Sequence, residues 1–527
     1  MASAASLSPT ASPHPTFQFK ANSLTIPGLH GQSEQSLSRG ETHSTVQSGA
    51  SKMSKLERLN SLGHLVVDKD MIYGLTLRKS LRSFGRAWMK MPQDMTEAEL
   101  VALHSKAESM ESFDFFVSHT WSTDGKWKVL SLLMQTGWPC ALLFSAAAVV
   151  LTAALELADI LPLPFTFRTK PLNGEAEDFP VCCWISCASF LGLFLGLLAS
   201  PYFPCLNGRP GDCFIDMVSI DQSDAEKIED GIYGIGGFLS VSRELQVMWS
   251  PPYLKRLWCV FELAAYRKAN PQGKITLSPL YVEQIVLMLI LGLYAVLGTF
   301  WILYIWPVPS DFSLMANLLC MVPAFFPFHF MRRSLASSKH QLLHELLTFD
   351  LNQVQCMNDF DRSFIHSAII KWYGSRDAFT QFVRGPLRDE LLHNTSSSLA
   401  SFNLRYALLL GLIPCTMSSE YFVAFIKAGC SGQWITSYLI GSMLGFDLVW
   451  TLLTLRLVLY LCDKFASRCR FSCCDFLKTL LIWVLITAFQ ALGAFAQGRA
   501  TRTNIWYAVA WFALVSCIFA IMWRCSR

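Results

Sequence analysis

"SRELQVMWSPPYLKRLWCVFELA", residues 242–264, decides how the chain is read. "ELQVMWS" is a short apolar run of strand length, closed by Pro251 and Pro252. The residues after the prolines read as a helix that continues to Ala269. That helix carries Glu262 inside an otherwise apolar and aromatic segment, fifteen or so residues before a bilayer-length apolar run. A strand and helix of soluble type therefore stand at the mouth of a membrane-type segment.

Outward from this stretch the same alternation continues. Residues 113–118, "FDFFVS", read as a buried strand, followed by a polar loop and a helix in "HTWSTDGKWKVLSLLMQTG". "DCFIDMVSIDQ" reads as a second strand and "DAEKIEDGIYGIGGFLSVS" as a helix weakened by glycines. "KITLSPL" reads as a last strand. Strands alternating with helices predict a doubly wound, flavodoxin-like parallel sheet. Polar residues gather just past the strand ends: Ser118, His119 and Trp121 after the first, Asp221 and Gln222 after the second, Ser250 after the third. In open α/β sheets that rim binds ligands.

The rest of the chain has a membrane composition. Charged residues are 16% and apolar residues 52% of 527, against about 25% charged in soluble domains. The net charge of +4 is too small to point to nucleic acid. The 17 cysteines contain no C-x-x-C pair, so neither a zinc ribbon nor a disulfide framework is expected. Eight runs reach about 20 apolar residues: 139–161, 181–203, 282–306, 312–331, 405–427, 434–461, 476–497 and 504–523. Lys and Arg concentrate on one side, which places both termini in the cytosol of a plasma or internal membrane. Trp138, Trp301, Trp306, Trp434, Trp506 and Trp523 lie near span ends, as an interfacial belt requires. The sequon at Asn394 falls on the cytosolic side and is expected to stay unglycosylated.

The organisation predicted is a Ser/Pro-rich disordered tail (1–52), then an amphipathic helical lead-in (53–112). The first part of the α/β domain is 113–137, a transmembrane hairpin 138–204, and the second part 205–280. A second hairpin (281–331), a cytosolic helical segment (332–404) and four more spans (405–527) follow. The fold class is a multi-pass helical membrane protein whose cytosolic α/β domain is interrupted by a membrane hairpin. The helical segment is expected to dock on that domain, since both lie on one face.

Residues 113–121 and 242–264 resemble the boxes of Toll/interleukin-1 receptor (TIR) domains. "FDFFVSHTW" looks like their opening strand and loop, and "SRELQVMWSPPYLKRLWCVFELA" like their S-R strand followed by W-C-x-x-E-L on a helix. With "IDMVSIDQ" the pattern is similar to a divergent group in protists. The resemblance covers 113–135 and 211–278, and lacks the family's Arg-Asp and Pro-Gly loop after the second strand. It implies assembly through the domain surface, with other TIR-like domains or with itself. It also implies NAD as a substrate, no bound cofactor, and Glu262 as the residue that cleaves it. A carboxylate near the ribose stabilises the positive charge that grows as the nicotinamide bond breaks. Ser118, His119, Trp121, Asp221 and Ser250 would line that rim, with Trp121 stacking on a flat ring.

The alternative lies in the spans. Glu420, Asp447 and Arg456 are ionisable residues inside apolar runs, and such groups are functional candidates. At 1.5 Å per residue Glu420 lies ~10 Å and Asp447 ~20 Å from the outer ends of their spans. Together they mark a cation or proton path, so a channel or transporter regulated by the α/β domain is the second reading. Gly441 and Gly445 form G-x-x-x-G, which permits close helix packing. His340 and His344 share a helix face without a third ligand, and no metal site is expected.

Overall fold

The computed structural model describes residues 65, 67–91, 94–171, 177–203, 211–222, 225–305, 319–392, 404–467 and 471–524. The predicted disordered tail, Trp306 and the Asn394 sequon lie outside these residues.

Eight strands are present among them: β1 (Tyr73–Thr76), β2 (Glu108–Ser109), β3 (Phe113–Ser118), β4 (Phe165–Thr169), β5 (Glu177–Val181), β6 (Asp212–Phe214), β7 (Ser242–Trp249) and β8 (Lys274–Pro279). Six form one sheet in the order β2-β1-β6-β3-β7-β8. β3 runs parallel to β6 and β7, and β7 parallel to β8. In chain order the parallel strands are therefore arranged 2-1-3-4. The winding direction reverses between β3 and β7, so a crevice opens at their C-terminal ends. β7 is central and covered on both faces, which is why Leu245–Trp249 is continuously buried instead of alternating.

The predicted helical lead-in is corrected. Besides the helices Leu77–Met89 and Glu97–His104 it contributes β1 and β2, which extend the sheet antiparallel to β6. Strands of four and two residues are too short to show a period of two. The second strand is also shorter than predicted: β6 stops at Phe214, and Asp216–Ser219 winds into one helical turn.

Among the described residues seven helices are long and apolar enough to cross a membrane: Gly125–Leu157, Trp184–Tyr202, Tyr281–Leu303, Leu404–Lys427, Gly432–Lys464, Ser472–Thr503 and Ile505–Arg524. The predicted run 312–331 is not among them. Its first part lies outside the described residues, and the rest is a 3₁₀ turn, Val322–Ala324, and the helix Phe325–Ser334. The domain's first helix and the first predicted span are one unbroken helix, Gly125–Leu157, so the boundary at 138 falls inside it. Between the first two long helices, β4 and β5 form an antiparallel hairpin. Its Phe167 and Phe179 pack on Tyr421 and Phe425 at ring distances of 4.4 and 5.1 Å.

The first two long helices pack closely because Gly192 and Gly196 face the partner. A Cβ at Gly196 would come within 2.5 Å of the Cys140 carbonyl oxygen, and one at Gly192 within 2.7 Å of that of Phe144. This G-x-x-x-G is tighter than the one read from the sequence. Gly441 and Gly445 also sit at a helix contact, against Ala508, Thr501 and Trp511. Of the tryptophans expected at an interface, Trp506 is exposed, whereas Trp301 and Trp434 are buried in a cluster with Phe179, Val181 and Phe425.

The helices of segment 332–392 dock on the sheet domain. Arg267 Nη2 donates to both oxygens of Glu390, at 2.6 and 2.8 Å. Trp258 Nε1 donates to Asp361 (3.3 Å), and Phe261 packs against Phe364 and Trp372. One continuous apolar core runs from Phe116 and Val247 in the sheet, through Ile285 and Leu289, to Leu410 and Val458 in the long helices. The sheet domain and the helix bundle thus share a core.

Candidate functional site

The crevice between β3 and β7 is filled from three sides. β3 ends on Ser118, whose hydroxyl donates to Glu262 Oε2 and is also hydrogen-bonded to the Tyr253 hydroxyl. Tyr253 sits in the turn after Pro251 and Pro252, where the chain leaves β7 and enters the helix Leu257–Ala269. Glu262, in the second turn of that helix, points back to the end of β3. Placing the helix after a proline turn at the switch point is what brings the carboxyl there.

The loop after β3 forms the second wall. Trp121 Nε1 donates to Asp216 Oδ2 at 2.8 Å, and His119 meets the Trp121 ring edge-on at 4.6 Å. His119 is buried, and its outer face meets Trp88 at 5.5 Å. Its Nε2 has no hydrogen-bond partner among the described residues. Cys259, one turn before Glu262, points its thiol at the His119 carbonyl oxygen (3.6 Å). Ser250, past β7, is hydrogen-bonded to Thr123 at 2.6 Å.

The third wall comes from the helix Gly125–Leu157. Lys128 is 1% exposed, its Nζ has no hydrogen-bond partner among the described residues, and it lies 4.6 Å over the Trp121 ring. A buried cation facing an aromatic ring replaces part of its lost hydration with the ring's negative face.

Burial dominates the titration of this cluster. It pushes the Glu262 carboxyl up to about 8, with Asp216 adding in the same direction and the Ser118 hydrogen bond opposing. It pushes His119 down to about 4, with the Lys128 charge reinforcing the effect. Tyr253 and Cys259 are held well above their ordinary values, again chiefly by burial. At neutral pH Glu262 is therefore mostly protonated and His119 neutral.

Of the residues read from the sequence, Ser118, His119, Trp121 and Glu262 converge here, and Ser250 lies at the edge. Asp221 instead pairs with Lys227 at the surface (2.9 Å), and Asp216 holds the place beside Trp121. The reason is the early end of β6, which brings the first acid, not the second, to the rim. Asp216, Lys128 and Tyr253 were missed. Lys128 gave no signal in the sequence: its charge argued for a surface, yet it lies with Ser131, Leu132 and Gln135 on a helix face that the fold buries or half-buries.

The two acids of the spans do different things. Glu420 Oε1 accepts the backbone N–H groups of Ile185 (2.7 Å) and Ser186 (3.2 Å), so it caps the first turn of the helix Trp184–Ala199. Asp447 is 8% exposed, lies in the π-wound stretch Leu439–Trp450, and its Oδ2 has no hydrogen-bond partner among the described residues. Arg456 stacks over Trp523 at 5.5 Å. His340 approaches Asp463 (3.4 Å), which Lys339 also reaches at 2.6 Å. Comparison with family models, curated proteins and solved structures returns no match.

Proposed function

We propose that the chain is a multi-pass membrane protein that signals through its TIR-like sheet domain at the cytosolic face. The domain acts first as an assembly module, pairing with other TIR-like domains or with a second copy. NAD cleavage through Glu262 is the chemistry to test on the same rim. The observation that carries this reading is the convergence of Ser118, Tyr253, Trp121 and Glu262 on the β3–β7 switch point. Assembly ranks ahead of catalysis because of the state of Glu262. Its carboxyl receives the Ser118 hydroxyl and keeps its proton at neutral pH. A neutral carboxyl cannot stabilise a growing ribosyl cation; it must first lose that proton, which partner-induced exposure of the rim would favour.

The test is nicotinamide release by purified protein incubated with NAD, beside Glu262→Ala, in dilute solution and at high density on a support. Release by the parent alone makes the rim an NAD-cleaving site. No release from folded protein at either density leaves assembly, to be read from self-association on the same support. Absence of both release and self-association would sink the reading.

A second reading is kept by one observation. The unpartnered Asp447 oxygen in a π-wound stretch is a feature common at functional sites in helices. Here the chain would be a channel or transporter with Asp447 in its path. Glu420, which caps a helix, would support that path only indirectly. Cation flux in proteoliposomes, lost in Asp447→Asn, separates this reading from the first.

A further inference from the structure

A basic cavity of about 640 Å³ opens between the helices Leu77–Met89 and Glu97–His104. That volume is in the range of small-ligand sites. Lys79, Arg82, Arg86, Lys90 and Lys106 line it, against only two carboxylates, Glu99 and Glu108. The acids are already engaged. Glu108 pairs with Lys79, and Glu99 with Lys90 (2.8 Å) and Arg86 (3.7 Å). Lys106 has no ion-pair partner among the described residues. Three positive charges are in excess, and the cavity calls for an anion.

Its location narrows the class. Arg82 Nε donates to the Pro201 carbonyl (3.3 Å), and its guanidinium lies over the Tyr202 ring (5.6 Å). Pro201 and Tyr202 end the second membrane-length helix. The helix Leu77–Met89 breaks at this point: Ser83, Phe84 and Gly85 take left-handed backbone angles, φ 53°, 57° and 66°. Ser83 N–H donates to the Tyr202 hydroxyl at 3.1 Å, which holds the break in place. The break turns Phe84 outward to 75% exposure, beside exposed Tyr202 and Phe203. Aromatic side chains beside lysine and arginine at the end of an apolar helix are the composition of a membrane–water interface.

We propose that this cavity binds a phosphate-bearing anion, presented either as the headgroup of an anionic lipid or as a free phosphorylated molecule. The location rests on the membrane reading above; the anion chemistry does not. Phosphate oxygens would be held by Arg82 and Lys106, with Arg86 and Lys90 able to turn from Glu99 to the ligand. Phe84 and Tyr202 would rest among the upper acyl carbons when the anion is a headgroup.

The test uses the full chain in detergent micelles. Binding is followed by native mass spectrometry with three probes: dioctanoyl phosphatidylinositol 4-phosphate, dioctanoyl phosphatidylcholine and soluble inositol 1,4-bisphosphate. The parent should bind the phosphoinositide and not the choline lipid. Lys106→Gln, at an exposed position without a partner, should weaken binding about tenfold, the worth of one charge-assisted contact. Arg82→Gln with Lys106→Gln should abolish it, with the melting temperature confirming that each variant folds. Binding of the soluble probe with the same losses identifies a free ligand; binding of the lipid alone identifies a headgroup. Equal binding of phosphatidylinositol 4-phosphate by parent and double variant, or equal retention of the choline lipid, overturns the proposal. Release of the protein from membranes by alkaline carbonate would sink the membrane reading and leave the soluble-probe result standing.

Discussion

Tyr406 donates its hydroxyl to Glu283 at 2.6 Å, and that contact joins two membrane-length helices. Glu283 also accepts Ser131 (3.0 Å) and Gln135 (3.2 Å), and Gln135 accepts Gln246 of β7 (3.1 Å). A strand of the domain is thus wired by side-chain hydrogen bonds to three long helices. Tyr406 and Glu283 are both buried, so Tyr406→Phe leaves a carboxyl oxygen short of a donor. The expected cost is about 1–3 kcal/mol, read as a lower melting temperature in detergent. An unchanged melting temperature would mean that the network bears no load.

The pH dependence of stability separates two residues of the rim. Between about 4.5 and 8 the unfolded chain releases the Glu262 proton while the folded chain keeps it. Stability therefore falls as pH rises through that window and is level above it. Glu262→Gln keeps the neutral shape and removes this limb, so the variant should gain on the parent by roughly 2–4 kcal/mol toward pH 9. His119 acts oppositely. Its folded value of about 4 lies below the ordinary 6.5, so stability is lost as pH falls through that range. His119→Gln should flatten the acid limb. Parallel melting curves for parent and Glu262→Gln across pH 5–9 would contradict the buried, protonated carboxyl.

The first long hairpin depends on two absent side chains. Gly196→Val would drive a branched side chain into the Cys140 carbonyl, 2.5 Å from where even a Cβ would sit. Relief requires the two helices to separate, at a cost of about 1–3 kcal/mol or more. Cysteine pairs placed across the hairpin should then crosslink less well than in the parent.

The docked helices should behave as part of the domain. Arg267 is mostly buried, and its Nη2 reaches both oxygens of Glu390. A double-mutant cycle over Arg267→Ala and Glu390→Ala should give a coupling of about 1–3 kcal/mol, above that of an exposed pair. Limited proteolysis within 332–392 should speed up in either single variant. Additive effects would mean that the pair is incidental.

How far the sequence could be read depended on element length. β3, β7, β8 and the helix Leu257–Ala269 were legible because each gathers enough apolar and aromatic residues to stand out, and Pro251 and Pro252 mark where β7 ends and the turn into the helix begins. β1 and β2 were not, because strands of four and two residues carry too little pattern to read; the β4–β5 hairpin was not, because its short strands stand in the turn between two apolar runs and gain their order from neighbours. The rim was legible where it follows a strand end directly, as at Ser118, His119 and Trp121. It was illegible at Lys128, whose charge argued for a surface that tertiary packing overrides, and at Asp216, hidden by a strand that ends early. In the spans, the charge pattern singled out Glu420 correctly as unusual. Only the fold shows that its carboxylate closes the start of another helix.

The sheet's innermost pairing spans the first long hairpin: Phe115 of β3 lies beside Cys213 of β6 and Glu244 of β7. About a hundred residues are synthesised between β3 and its first parallel neighbour, which takes roughly 5–20 s on the ribosome. Through that interval β3 emerges as an unsatisfied apolar edge, with two bilayer-length helices following it. Biogenesis of the domain is therefore tied to handling of the hairpin, and an excised domain lacking residues 138–204 would need those two chain ends rejoined before its central strands could meet.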